Sequence, residues 1–221
     1  MATTKTASKK TAVKKSTAGK TAGTSSQKSR SNSTSSSGQE QYSSLLEKLF
    51  TDMLKDMYWA EQHLVEALTE MQDAATTPEL QDAFEDHIFA TQKHAKRLEK
   101  VFSLLGKEAE AKTCEAMEGL TKEAKTVIQE TKEGTMTRDA GLIISAQKVE
   151  HYEIACYGSL VQLARTMGHE EAARILEKTL WEEEDTDLLL TDIAESEVNP
   201  LADDEDAEEG GESEEEEEEE M

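Results

Sequence analysis

The sequence predicts an all-α fold: four long antiparallel helices in a bundle with one shorter helix, and a disordered tail at each end. Three observations carry this. From Ser44 onward apolar residues recur in alternating steps of three and four, the period of a helix that buries one face. The only prolines are Pro78 and Pro200, and the alternating pattern of a half-buried strand is absent. Both ends are of low complexity, residues 1–42 being almost entirely Ala, Thr, Lys, Ser and Gly, a composition that buries too little apolar surface to offset the entropy of ordering.

The periodicity predicts helices over about 43–73, 78–106, 113–131, 137–167 and 169–196. Thr77 and Pro78 are the expected N-cap and first-turn residues of the second. Gly106 closes it, Gly134 interrupts the chain after the third, and Gly168 separates the last two. Pro200 is expected to end the fold, and the acidic run from Asp203 to Glu220 to repel itself too strongly to pack. The chain thus divides into a basic tail (1–42), a helical bundle (43–198) and an acidic tail (199–221).

Formal net charge is −24, unevenly spread: the first 40 residues carry eight Lys/Arg, residues 199–221 carry fourteen Asp/Glu, and in between acids outnumber bases 33 to 16. So acidic a bundle is a poor partner for nucleic acid, which needs clustered Lys and Arg, and only the basic tail suits phosphate backbones. Tails of opposite charge are expected to attract one another within the chain. Cys114 and Cys156 lie in helical patterns without metal-ribbon or disulfide spacing, which reads as reduced buried thiols. With no apolar secretory core at the start and no run of eighteen apolar residues, a cytoplasmic location without membrane insertion is expected.

Polar residues interrupt every long apolar stripe near its middle. The first runs Leu46, Phe50, Met53, Met57, Glu61, Leu64, Leu68, Met71; the second has His87, Thr91 and His94 between Phe84 and Leu98. The fourth places Glu150 and Glu153 between Ala146 and Tyr157, and the fifth Glu183 and Asp187 between Leu180 and Leu190. In antiparallel helices rising about 1.5 Å per residue, central positions fall at one level whichever way each helix runs. Glu61, His87, His94, Glu150, Glu153, Glu183 and Asp187 are therefore the candidate metal ligands. Buried carboxylates so grouped must be protonated, paired or bound to a cation, and a pair of iron or manganese ions is how ferritin-like bundles resolve the conflict. Singly, an inward Glu or His is more often a hydrogen-bonded core residue; the agreement of four helices is what favours a metal-capable layer. His63, His151 and His169 read as surface or capping residues, Trp59 and Trp181 as packing anchors, Met53 and Met57 as core filler, and Cys156 as inert.

Four segments, Tyr58–Leu64 (YWAEQHL), Ala116–Leu120 (AMEGL), Ala146–Gly158 (AQKVEHYEIACYG) and Thr191–Ala194 (TDIA), resemble the YciE/YciF family of bacterial stress proteins, the similarity spanning residues 43–197. The resemblance implies a ferritin-like homodimer with the third helix in the crossover, and a role in stress response rather than a defined reaction. It matches Glu61 to the family's first-helix acid, Glu150 and Glu153 to the fourth-helix pair, and Glu183 with Asp187 to the acids of the fifth. The second helix departs: relatives place a glutamate after the position of His87, where this chain has Phe89 and Ala90, and Gln92 stands where some carry histidine. Loss of that carboxylate is expected to weaken the site or restrict it to one ion.

Three functions compete. The first is a metal protein with weak oxidase or peroxidase activity. The second is a non-enzymatic stress protein whose metal-free polar core fixes helix register. The third is a nucleoid-associated protein acting through its basic tail.

Overall fold

The computed structural model describes residues 44–205, and among them every regular element is helical: α1 (Leu45–Ala74), α2 (Pro78–Leu104), α3 (Glu115–Glu130), α4 (Met136–Thr166) and α5 (Glu170–Ile193). The basic tail, the end of the acidic tail and any contact between the two lie outside the described residues. No described helix is long and apolar enough to cross a membrane.

Local chemistry sets the boundaries. The Ser44 hydroxyl accepts from the Glu47 N–H at 3.1 Å and the Thr135 hydroxyl from the Arg138 N–H at 3.2 Å, each satisfying a donor that its helix cannot. Pro78 opens α2 as expected, but the Thr77 side chain does not cap it. Asp139 of α4 instead accepts from the backbone N–H groups of Thr76 and Thr77 at 2.7 and 2.8 Å, which ties the α1–α2 turn to another helix. Gly168 has φ of 79°, which lets the chain turn from α4 directly into α5.

Short turns make α1–α2 and α4–α5 antiparallel hairpins. Phe50 near the start of α1 stacks on His169 beyond the end of α4, while the end of α1 meets Asp139 at the start of α4, so these helices are also antiparallel. The crossover must therefore return along the length of the bundle. Its path is marked by Lys112 on Asp56, His63 on Thr121 and Lys125 on Glu70, with α3 packed against α1 and α4. At Gly141 a β-carbon would lie 2.7 Å from Val127 Cγ1, so the missing side chain is what lets α3 approach α4 there.

The apolar core forms two clusters. One gathers Leu64, Leu68, Phe84, Met117, Leu142 and Leu190, the other Phe50, Leu54, Leu98, Phe102, Tyr157 and Leu176. The sequence positions between them on each helix are the polar interruptions of the stripes.

Several expectations are corrected. Pro200 does not end the fold: α5 passes through a π-helical turn (Ala194–Val198) and stays helical to residue 205, so the bundle extends beyond 198. A proline lacks the N–H that an α-helix requires and crowds the preceding turn, and the widened turn just before Pro200 accommodates it. Burial of Val198 in the first cluster and bonds from the Met136 and Thr137 N–H groups to Glu205 hold this extension in place. Trp181 is 57% exposed and anchors nothing in the core, whereas Trp59 packs against it. Cys114 is buried, and Cys156 only partly so.

Candidate metal centre

All four long helices contribute to one polar layer. Glu61, His94, Glu150, Glu153 and Glu183 are fully buried and His87 is 3% exposed. Helical spacing puts them there: His87, Thr91 and His94 line one face of α2, and Glu150 and Glu153 are neighbours on one face of α4. The donors fall into two groups, His87 with Glu150, Glu153 and Glu183, and Glu61 with His94 and Glu183. Glu183 is common to both.

The distances define the layer. His87 Nδ1 is 3.3 Å from Glu150 Oε1, and its Nε2 is 3.8 Å from Glu183 Oε2. His94 Nδ1 is 2.9 Å from Glu183 Oε1 and 3.7 Å from Glu61 Oε2. Both oxygens of Glu150 and Glu153, and both ring nitrogens of His87, have no hydrogen-bond partner among the described residues, and Glu183 meets only ring nitrogens of the layer itself. Buried polar atoms are normally satisfied, so a concentration of orphaned acceptors from several helices needs protons or a cation. Carboxylate oxygens and imidazole nitrogens are the donor set that iron, manganese and zinc accept, so the residues suit a divalent ion.

Without a cation, burial and mutual repulsion shift the acids of the layer toward their protonated forms. Burial pushes Glu61 up to about 8, although His94 opposes the shift. Burial and then Glu183, Asp187 and Glu61 drive Glu150 well above the carboxylate range, and burial with Glu61, Glu183 and Glu150 does so for Glu153. His87 is held down to about 4 by burial, which keeps its imidazole neutral. His94 goes the other way: burial disfavours its charge, but Glu183, Glu61 and Glu182 outweigh it and hold the ring at about 9.

Two neighbours were not singled out for the site by the sequence pattern. Tyr157 occupies an apolar seam position, and its hydroxyl donates to Glu61 Oε1. Glu182, adjacent to Glu183, bonds His94 Nε2 at 2.9 Å and receives both arms of the Arg97 guanidinium at 2.6 and 2.9 Å. Partial burial alone would raise Glu182, but Arg97 and His94 bring it to about 2. With Nε2 so engaged, His94 directs Nδ1 toward Glu183 and Glu61. Half-exposed acids next to a core position give no periodic signal, and only contact with α2 reveals this one.

Six of the seven candidate ligands fall in the two donor groups, and Asp187 falls in neither. Asp187 is partly exposed and meets the exposed His151 at 3.3 Å. Its charge helps to raise Glu150. The two histidines of α2 fall in different donor groups, and Glu183 belongs to both.

The family described as Domain of unknown function (DUF892) matches residues 45–202. The chain belongs to this family. DUF892 likeness extends to curated and solved relatives: Protein YciF of Escherichia coli (strain K12) is 42% identical over 159 residues, which cover 72% of this chain and 95% of YciF. The crystal structure of that E. coli stress protein superposes with a TM-score of 0.67 at 42% identity, covering 70% of this chain and 97% of the other. YcfI of Rhodopseudomonas palustris superposes with a TM-score of 0.65 at 37% identity, covering 67% and 94%. As a DUF892 protein the chain is a YciF-like, ferritin-like helical bundle, and its matched region, 45–202, includes Pro200.

Proposed function

We propose that this YciF-like protein is a stress-associated metalloprotein holding two iron or manganese ions in the layer between α1, α2, α4 and α5. The observation that carries the reading is Glu183, whose carboxylate belongs to both donor groups and, among the described residues, meets only the imidazoles of His94, at 2.9 Å, and His87, at 3.8 Å. A carboxylate so placed suits a bridge between two cations, as in di-iron and di-manganese bundles. His87, Glu150 and Glu153 complete one position, Glu61 and His94 the other. When bound, such ions supply Lewis-acid and one-electron chemistry toward dioxygen or peroxide, consistent with a weak oxidase or peroxidase. The protein's own part is to keep His87 neutral, orient His94 through Glu182 and Arg97, hold Glu61 through Tyr157, and enclose the layer between two apolar clusters.

A second reading rests on the raised acids. If Glu61, Glu150 and Glu153 keep their protons, the layer is close to neutral without any ion and fixes helix register as a structural device. Elemental analysis of protein purified from cells supplied with iron and manganese separates the two. The metal reading expects bound ion in the wild type and its loss in Glu183→Gln. A wild type that is free of metal, takes up none when it is added, and is not destabilised by Glu150→Gln leaves the structural reading standing. A homodimeric, cytoplasmic protein belongs to the same proposal, supported by the exposed apolar side chains Phe89, Trp181 and Leu188; light scattering tests the dimer.

A further inference from the structure

One cleft runs against the charge of the rest of the molecule. Arg97 and Lys100, one turn apart on α2, face Glu171, Arg174, Ile175 and Lys178, a single stripe of α5, across a cavity of about 370 Å³. Four cations and one acid thus surround a single space on a chain of net charge −24. Several Lys and Arg elsewhere on the surface close tightly onto acids, as in Lys48–Asp52, Lys112–Asp56, Lys125–Glu70, Lys148–Glu123 and Arg165–Glu177, all at 2.5 to 2.9 Å. In the cleft the pairs are long, 4.0 Å for Lys100–Glu171 and 3.6 Å for Lys178–Glu182. Arg174 has no ion pair or side-chain hydrogen bond among the described residues. Arg97 alone is fixed, by its fork on Glu182 and a bond to Thr179.

We propose that this cleft binds a small molecule carrying a di- or triphosphate group. Cations held around one space repel one another, and a compact anion of several charges relieves that repulsion while offering oxygens to the free guanidinium of Arg174. Partly buried Ile175 supplies an apolar wall for the remainder of the ligand, and the volume suits a small-molecule pocket. A long nucleic-acid backbone fits less well, because beyond the cleft it meets a strongly acidic surface. The cleft lies outside the metal layer, and Arg97 links the two through Glu182 and His94.

The test is isothermal titration calorimetry of the full-length protein with inorganic pyrophosphate and with ADP at physiological ionic strength. The double substitution Arg174→Glu, Lys178→Glu is compared with Lys122→Glu on α3 as a control, and circular dichroism checks each fold. Saturable binding is expected, with Kd raised about tenfold or more by the double substitution and unchanged by the control. Arg174→Ala, at an exposed position, gives a smaller loss in the same direction should the double variant fold poorly. Absence of saturation with both probes overturns the proposal. So does a Kd unaffected by the cleft substitutions, which assigns binding to another basic segment. Tighter binding of a short duplex DNA that depends on the same residues replaces the small molecule with nucleic acid.

Discussion

Glu205, far along the acidic C-terminal region, accepts the backbone N–H of Met136 at 2.9 Å and thereby caps the first turn of α4. A carboxylate there satisfies donors the helix leaves open and lies at the positive end of its dipole. Glu205→Ala should therefore cost about 1 kcal/mol in denaturant unfolding. Ending the chain after residue 198 should cost more, because it also removes the segment that anchors Val198. Equal stability of the full chain and the version ending at 198 would dismiss this role.

Glu183→Gln should remove more metal than Glu150→Gln, since only the first change touches both donor groups. The measured ratio of ion to protein by elemental analysis should fall furthest in Glu183→Gln, and the rise in Tm on adding iron or manganese should be smallest there. If the two variants lose metal equally, Glu183 is not shared.

Stability of the metal-free protein should fall as pH rises from about 6.5 to 8. In the unfolded chain Glu61 ionises near its ordinary 4.5, but in the fold it keeps its proton up to about 8, so the folded state binds more protons through that interval. His94, raised from 6.5 to about 9, adds in the same sense: its stabilising contribution is complete below 6.5 and disappears through 9. His87, lowered to about 4, works on the other side and costs stability as pH drops from 6.5 toward 4. Urea midpoints at pH 6.5 and 8 decide the matter; a midpoint that rises with pH contradicts it.

Glu182→Gln keeps the size of the side chain but removes the charge that meets His94 Nε2 and Arg97. On the metal reading, affinity should drop by about 10- to 100-fold, the usual scale for a partner that orients a ligating imidazole. The His94 ring should also titrate lower in NMR. A purely structural role for Glu182 would leave metal affinity unchanged.

Adding a methyl group at Gly141 brings two opposing effects. Alanine favours a helix by about 1 kcal/mol over glycine, yet its β-carbon would lie 2.7 Å from Val127 Cγ1. Gly141→Ala should be destabilising by about 1 kcal/mol in the native background and stabilising when combined with Val127→Ala. A double-mutant cycle with no coupling would show that α3 moves aside freely.

Helix count and the existence of the polar layer were legible in the sequence because they follow from period: Glu61, His87, His94, Glu150, Glu153 and Glu183 occupy positions where an apolar residue is due, and burial follows from that. Period carries no information on which partner a side chain meets across a helix boundary. Tertiary structure alone gave Glu183 to both donor groups, turned Asp187 toward His151, and set Glu182 between Arg97 and His94. Pro200 is the complementary case. Read locally it ends a helix, but a π-helical turn, the burial of Val198 and the bond from the Met136 N–H to Glu205 carry the helix past it, and the last two depend on residues distant in the chain.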